Sequence, residues 1–195
     1  MTVLLRAAKR APTPWSNGFG STTEVARSSF DPFAWRISIA TIDHDVPFSS
    51  LPGLDRILMP LAEGGMRLLV NGAIVHLAQF EPFTFAGEDI ASAIDVNAES
   101  LDLNVMIRRC DAIGSLRRSD VHGAMVVQPP RGPEDAVVIV VLSGLLSAEG
   151  RGLLRHDGVL LTGQAVELVG DGVVAVIRVR TEVSPSAREG SPLLP

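Results

Sequence analysis

Glycine and proline divide this chain into short apolar segments, and this spacing limits the folds open to it. Its 195 residues include 18 glycines and 13 prolines. The apolar runs between them are roughly 4–8 residues long, the usual length of a β-strand. Many short strands separated by turn residues predict an all-β sandwich or barrel. The predicted strands are Thr22–Arg27, Trp35–Ile42, Asp55–Pro60, Met66–Val70, Ala73–Leu77, Phe83–Phe85, Ala91–Asp95, Asp102–Arg108, Ala124–Val127, Ala136–Leu142, Ser147–Ala148, Val159–Leu161, Ala165–Leu168 and Val173–Arg180.

Two parts of the chain repeat one order of strands and turns. Residues 58–77 turn at Asn71-Gly72, and residues 141–161 turn at Asp157-Gly158. Both dipeptides are typical of tight β-hairpins. The repeat predicts two jelly-roll β-barrel modules, residues 1–118 and a smaller one at 119–183. The polar segment Ile113–Asp120 is predicted to connect them with a helical turn, and the Ser- and Pro-rich residues 184–195 to form a mobile tail.

Charge and cysteine content disfavour several broad classes of protein. The formal net charge is −5, which disfavours nucleic acid as a partner. Cys110 is the sole cysteine, so the sequence has no disulfide framework, and this suits a reducing cytoplasm. No segment approaches the ~18 uninterrupted apolar residues that a membrane span needs. We therefore expect a cytoplasmic protein that binds neither nucleic acid nor membrane.

The stretch from Trp35 to Arg56 carries the densest polar pattern. It begins as an alternating strand and breaks at Pro47-Phe48-Ser49 and at Leu51-Pro52-Gly53. It ends on Asp55-Arg56, directly before another apolar run. Proline and glycine at these positions indicate an ordered loop. The pattern predicts a polar pocket at one end of a β-structure.

Several motifs across residues 12–110 have a specific order and spacing. They are Pro14-Trp15-Ser16-Asn17-Gly18 with Thr22, Thr23 and Glu24, then Trp35-Arg36-Ile37-Ser38-Ile39-Ala40, then Pro47-Phe48-Ser49, Pro52-Gly53 and Asp55-Arg56, and finally Asn104, Met106, Arg108 and Arg109. This region resembles the HutD/Ves family of bacterial bicupins. The resemblance implies an all-β bicupin with two stacked jelly-roll barrels in one compact chain. It also implies a role in histidine utilisation or stress response, with urocanate or a formylated intermediate as ligand.

The histidines do not form the usual cupin metal motif. That motif needs two histidines separated by one residue, so that both imidazoles lie on one face of a strand. His44, His76, His122 and His156 are each isolated in the sequence. We therefore expect no metal and no other cofactor.

An anion site has better support from the residues. Arginine is always charged and can bind a carboxylate through two parallel hydrogen bonds. Side chains two residues apart on a strand share a face. The candidate ligand-binding residues are Trp15, Asn17, Arg36, Ser38, Phe48, Ser49, Arg56, Asn104, Met106 and Arg108, of which Asn17 and Ser49 rest on the family motifs. In the alternative interpretation, Asp55–Arg56 and Asp102–Arg108 form ion pairs, and Trp15, Trp35 and Phe48 belong to the core.

Two functions remain open from the sequence. The first is a regulatory protein that binds a small carboxylate or an imidazole metabolite. The second is a metal-independent cupin lyase, isomerase or hydrolase that acts on a similar molecule. Binding is favoured because no nucleophile and base are paired in the sequence. The continuous apolar strands at 136–142 and 173–177 should be covered on both faces, by the first module or by a second copy in a homodimer.

Overall fold

The computed structural model describes residues 2–15, 18–29 and 31–181. It confirms the all-β class, since sixteen strands are joined by turns and by a single 3₁₀ turn at Ala7–Lys9 in the described part of the chain. The described residues contain no helix that is long and apolar enough to cross a membrane. The strands are β1 (Thr2–Leu5), β2 (Pro12–Pro14), β3 (Ser21–Arg27), β4 (Trp35–Ile42), β5 (Val46–Pro47), β6 (Leu54–Pro60), β7 (Met66–Val70), β8 (Ala73–Leu77), β9 (Phe83–Ala86), β10 (Ala91–Ile94), β11 (Ser100–Arg108), β12 (Ala112–Val127), β13 (Ala136–Ala148), β14 (Arg151–Leu153), β15 (Gly158–Leu161) and β16 (Val166–Thr181).

The strands form three antiparallel sheets. The N-terminal sheet has the order β2-β3-β4-β11-β6-β9, and the small sheet has the order β5-β10-β7-β8. The C-terminal sheet has the order β1-β15-β13-β16-β12, with β14 added beside β13. Each order ends in free edges, so no sheet of the described residues closes into a barrel. β1 belongs to the C-terminal sheet although it begins the chain, which links the two ends of the sequence.

The predicted helical turn at Ile113–Asp120 is wrong. These residues lie within β12, which pairs with β16 along its whole length, from Ala112 opposite Thr181 to Val127 opposite Val166. β12 is the last strand of its sheet, and charged residues such as Arg117 and Arg118 are exposed there. An edge strand tolerates this polarity, because charges on an edge hinder pairing with other chains.

The expected boundary between residues 118 and 119 falls inside this strand. The expected mobile tail at 184–195 lies outside the described residues.

The apolar residues 136–142 of β13 are buried on both faces of the strand, as predicted. Val138 and Val140 lie in one buried cluster with Ile37 of β4 and Leu103 of β11, which joins the C-terminal sheet to the N-terminal sheet. Val137, Ile139 and Val141 lie in a second cluster, within the C-terminal half. Both faces are therefore covered by the same chain, and the homodimer is not needed to explain these residues.

A third cluster fills the space between the N-terminal sheet and the small sheet. Ile42 of β4 and Leu58 of β6 lie there with Met66 and Leu68 of β7. Because side chains alternate along a strand, the face that carries Ile42 and Leu58 also carries the polar side chains of β4, β6 and β11. Those polar side chains form the candidate site.

Candidate functional site

A cavity of about 320 Å³ opens on the inner face of the N-terminal sheet. Its volume lies at the small end of the range for small-molecule pockets. Eight of the ten candidate residues line it: Trp15, Arg36, Ser38, Phe48, Ser49, Arg56, Asn104 and Met106. The sequence therefore predicted half of the sixteen residues that line the cavity, although it could not show that they meet.

Strand register brings the polar residues together. β11 lies between β4 and β6 in the sheet. Met106 of β11 is opposite both Arg36 and Arg56, so these three residues form one row across the strands. Asn104 is opposite Ser38 in the next row. Alternating residues of three adjacent strands thus place two guanidinium groups, an amide and a hydroxyl on one surface.

Arg56 is the most unusual residue of the cavity, because it is charged and only 5% exposed. Its Cζ lies 5.0 Å from the centroid of the Phe48 ring and 4.8 Å from that of Phe85. Cation–π attraction to both rings stabilises the charge. Its Nη2 donates a hydrogen bond to Asn104 Oδ1 at 3.1 Å. Its buried Nε has no hydrogen-bond partner among the described residues.

Asp102 is the second buried ionisable group and is only 1% exposed. Asn104 Nδ2 donates to Asp102 Oδ1, so Asn104 links this carboxyl to Arg56. Burial raises the pKa of Asp102 to about 7, and the charge of Arg56 opposes that rise. Burial also lowers the pKa of Arg56, against the attraction of Asp102.

Asp102 was missing from the predicted site. The sequence interpretation placed it only in an ion pair with Arg108. Its spacing of two residues from Asn104 and four from Met106 puts it on their face of β11, and that spacing could have found it.

The rim of the cavity is held by side-chain pairs. Arg36 Nε donates to Glu24 Oε2 at 2.9 Å, and both side chains are partly exposed. Trp15 Nε1 donates to Thr22 Oγ1 at 2.7 Å, which fixes the indole at the opening. Arg36 therefore already has a carboxylate partner, whereas the Nε–H of Arg56 is free to donate to one.

The loop between β5 and β6, residues 48–53, closes one side of the cavity. Leu51 N–H donates to Gly87 O at 2.7 Å, and Gly87 N–H donates to Leu54 O at 2.8 Å. A Cβ at Gly87 would lie 2.2 Å from Leu51 O, so the close approach requires glycine. Arg109 N–H donates to Gly53 O at 3.1 Å and holds the end of the loop.

Two candidate residues are placed differently. Arg108 is not among the residues that line the cavity, and its Nε instead lies 3.2 Å from both Phe33 O and Asp111 Oδ2. Asn17 lies outside the described residues.

The structure contradicts the two alternative ion pairs but places Trp35 in the core. The ion pair Asp55–Arg56 is wrong, because Asp55 pairs with Arg109 at 2.5 Å. The ion pair Asp102–Arg108 is also wrong, because Arg108 pairs with Asp111. Trp35 does lie in the core, as that interpretation held.

The cavity does not fit a metal ion. Among the described residues, no group of three or more His, Cys, Asp or Glu side chains could hold one. The cavity offers one carboxyl and two guanidinium groups, and the positive charge of Arg56 would repel a cation.

Comparison with known proteins places the chain in a family. The family model described as HutD matches residues 7–177. The uncharacterised 21.2 kDa protein in the hutC 3′ region of Pseudomonas putida is 40% identical over 107 residues, which cover 53% of this chain and 56% of that protein. Protein Ves of Citrobacter koseri is 36% identical over 158 residues, which cover 74% of this chain and 78% of Ves.

A solved structure supports the same assignment at the level of the fold. HutD from Pseudomonas fluorescens SBW25, described for a formate condition, superposes with a TM-score of 0.81. The two chains are 24% identical, and the match covers 94% of this chain and 100% of the P. fluorescens chain. The family match and the fold agree, and the chain therefore belongs to the HutD family.

Proposed function

We propose that this protein binds a small carboxylate in the cavity, with Arg56 as the anchoring residue. The observation that carries the proposal is the buried Nε of Arg56, which has no partner among the described residues. An unpaired buried donor is costly, and a ligand that accepts from it removes that cost. A carboxylate matches the fork of a guanidinium with two parallel hydrogen bonds.

The shape of the cavity supports a small, partly apolar ligand. Trp15, Leu51, Leu54 and Met106 supply apolar wall around the polar floor. Such a wall suits the body of a short organic acid, while the polar groups fix its orientation.

Histidine utilisation supplies the first ligands to test. One relative, from P. putida, is described by its position in the hutC 3′ region. Another, HutD from P. fluorescens, is described for a formate condition, and formate is the smallest carboxylate. Urocanate and formylated intermediates of histidine breakdown carry the same group on a larger body. We propose that one of them is the ligand and that its binding regulates histidine utilisation or a stress response.

Isothermal titration calorimetry tests this proposal with formate, acetate and urocanate. Arg56→Ala should weaken binding by about 1.5–3 kcal/mol, the range for hydrogen bonds to charged groups. Arg56→Lys keeps the charge but loses the fork, so it should also bind more weakly. Arg117→Ala, which removes an exposed arginine of β12, is the control and should bind normally. Unchanged affinity in folded Arg56→Ala would exclude the proposed site.

A second candidate function is metal-independent catalysis by a cupin lyase, isomerase or hydrolase. The observation in its favour is the pKa of Asp102, raised to about 7 by burial inside the cavity. A general acid or base works best with a pKa near the working pH. Conversion of urocanate or a formylated amino acid, followed by proton NMR, would reveal turnover, and Asp102→Asn should abolish it while retaining binding.

We also infer a bicupin organisation. The N-terminal sheet and the small sheet enclose one apolar cluster, and the C-terminal sheet encloses another. Each cluster corresponds to one jelly-roll module. The candidate site lies in the first module, and the second supports it through the cluster that the two larger sheets share.

A further inference from the structure

We propose that Asp102 takes up a proton when a carboxylate binds beside Arg56, so that the cavity binds the anion and one proton together. The inference rests on the proposed function, since it concerns the same cavity. It gives Asp102 a distinct role: this residue sets how the affinity depends on pH.

The geometry places the Asp102 carboxyl group near the cation that a ligand carboxylate would bind. Arg56 of β6 and Asp102 of β11 are both buried, and they face the same cavity from neighbouring strands. Asn104 lies between them, accepting from Arg56 through Oδ1 and donating to Asp102 through Nδ2. When it is ionised in the free protein, Asp102 is thus the buried negative charge that balances Arg56. A bound carboxylate would take its place in that balance.

Among the described residues, the surroundings offer Asp102 no other compensating charge. The second cation of the cavity, Arg36 on β4, is held by Glu24 of β3 at 2.9 Å. The loop residues 48–51 and strand β2 carry no charged residue in the sequence. From the small sheet, Met66 and Leu68 are apolar members of the cluster behind the site.

Two carboxylates that share one buried cation do not both stay ionised. The second negative charge favours the neutral form of the first, as in paired carboxyl groups elsewhere. Burial already raises the pKa of Asp102 to about 7 in the free protein. The arriving anion raises that pKa further, and Asp102 takes a proton from solvent. Its new O–H is then a donor, which suits a neighbouring carboxylate acceptor.

The sign of the pH dependence follows from this uptake. Below about pH 6 Asp102 is already protonated in the free protein, and affinity should not change with pH. Above about pH 7 the proton must be taken from solvent, so affinity for an ionised carboxylate should fall by up to about tenfold per pH unit.

Calorimetry of the wild-type protein measures the uptake directly. Formate and acetate serve as probes because both are ionised between pH 6 and 9. Titration at pH 8 in phosphate and in Tris, whose ionisation enthalpies differ, gives the number of protons bound. We expect close to one proton per site. A count near zero, with affinity constant from pH 6 to 9, would overturn the inference.

Two variants separate this inference from the proposed function. Asp102→Asn should bind formate with a pH-independent affinity and no proton uptake. Glu63→Gln removes an exposed carboxylate that does not line the cavity and should keep the uptake. If wild-type affinity depends on Arg56 but no proton is bound, only the role of Asp102 fails. If wild-type protein binds no carboxylate, or binds it without Arg56, the proposed function fails and this inference with it. If Asp102→Asn does not fold, the wild-type proton count alone decides.

Discussion

At the scale of the residue, two arginines on one wall have different environments. Arg56 is buried between two aromatic rings, whereas the side chain of Arg36 is 28% exposed and paired with Glu24. Alternation along the strands predicted that both face the cavity. It could not predict burial, which depends on the strands and loops that come from elsewhere in the chain. The sequence also does not show that Asp102 is buried, so Asp102 was assigned only to an ion pair with Arg108.

This difference predicts unequal contributions to binding. Arg36→Ala removes an exposed charge that already has a partner, so the affinity for formate should fall by less than about 1 kcal/mol. Arg56→Ala should weaken formate binding by more, about 1.5–3 kcal/mol. Titration calorimetry under identical conditions compares the two. Equal losses in the two variants would mean that Arg36 also contacts the ligand.

At the scale of the element, glycines inside two long strands explain why each was predicted as two shorter ones. β13 and β16 were each predicted as two shorter strands, because Gly144, Gly170 and Gly172 interrupt their apolar patterns. In the structure these glycines lie where strands approach closely: a Cβ at Gly144 would lie 2.3 Å from Asp171 O. The register also shifts between Val141 and Ser143. Glycine within a strand can mark such a bulge or close approach rather than a strand end.

A glycine also controls the loop that closes the cavity, and this gives a prediction. Gly87→Ala would place a Cβ 2.2 Å from Leu51 O, so residues 48–53 must shift. We expect a loss of stability of about 1–3 kcal/mol and weaker carboxylate binding, because Phe48 and Ser49 move with the loop. Urea denaturation and calorimetry measure the two effects. The control is Gly64→Ala, whose Cβ would meet nothing within 4 Å. If Gly87→Ala behaves like this control, the loop is not held as described.

At the scale of the whole molecule, the shared cluster between the two larger sheets joins the predicted modules. The sequence predicted that the apolar strands of the second half are covered on both faces. It left open whether the first module or a second copy covers them, because an apolar run indicates that a strand is buried but not which residues bury it. β1 adds a second connection, since this N-terminal strand pairs with β15 of the C-terminal sheet.

The shared cluster predicts that a polar change within it destabilises the entire chain. Val140→Thr keeps the shape of the side chain but buries a hydroxyl, which should cost about 1–3 kcal/mol. Val126→Thr, at an exposed position of β12, is the matched control and should change stability by less than about 0.5 kcal/mol. Thermal unfolding followed by circular dichroism should show one transition that shifts in Val140→Thr. Two separate transitions, with only one shifted, would show that the halves fold independently.

Asp102 predicts how the stability of the whole molecule depends on pH. Its pKa is about 7 in the folded protein and near 3.8 when unfolded, so the folded state holds the extra proton between these values. The free energy of unfolding should therefore decrease as pH rises from about 4 to 7, by a few kcal/mol at most. Urea denaturation across this range should show a steeper decline in wild type than in Asp102→Asn. Parallel profiles would mean that Asp102 is not protonated near neutral pH.

The central claim is that the free Nε–H of Arg56 receives the ligand, and ¹⁵N–¹H NMR of arginine side chains tests it most directly. The Nε–H signal of Arg56 is assigned by its disappearance in Arg56→Lys. We expect this signal to move progressively as formate is added and to reach a plateau at the occupancy measured by calorimetry. A signal that stays in place while calorimetry shows saturation would exclude Arg56 as the anchor, because the carboxylate would then bind away from it.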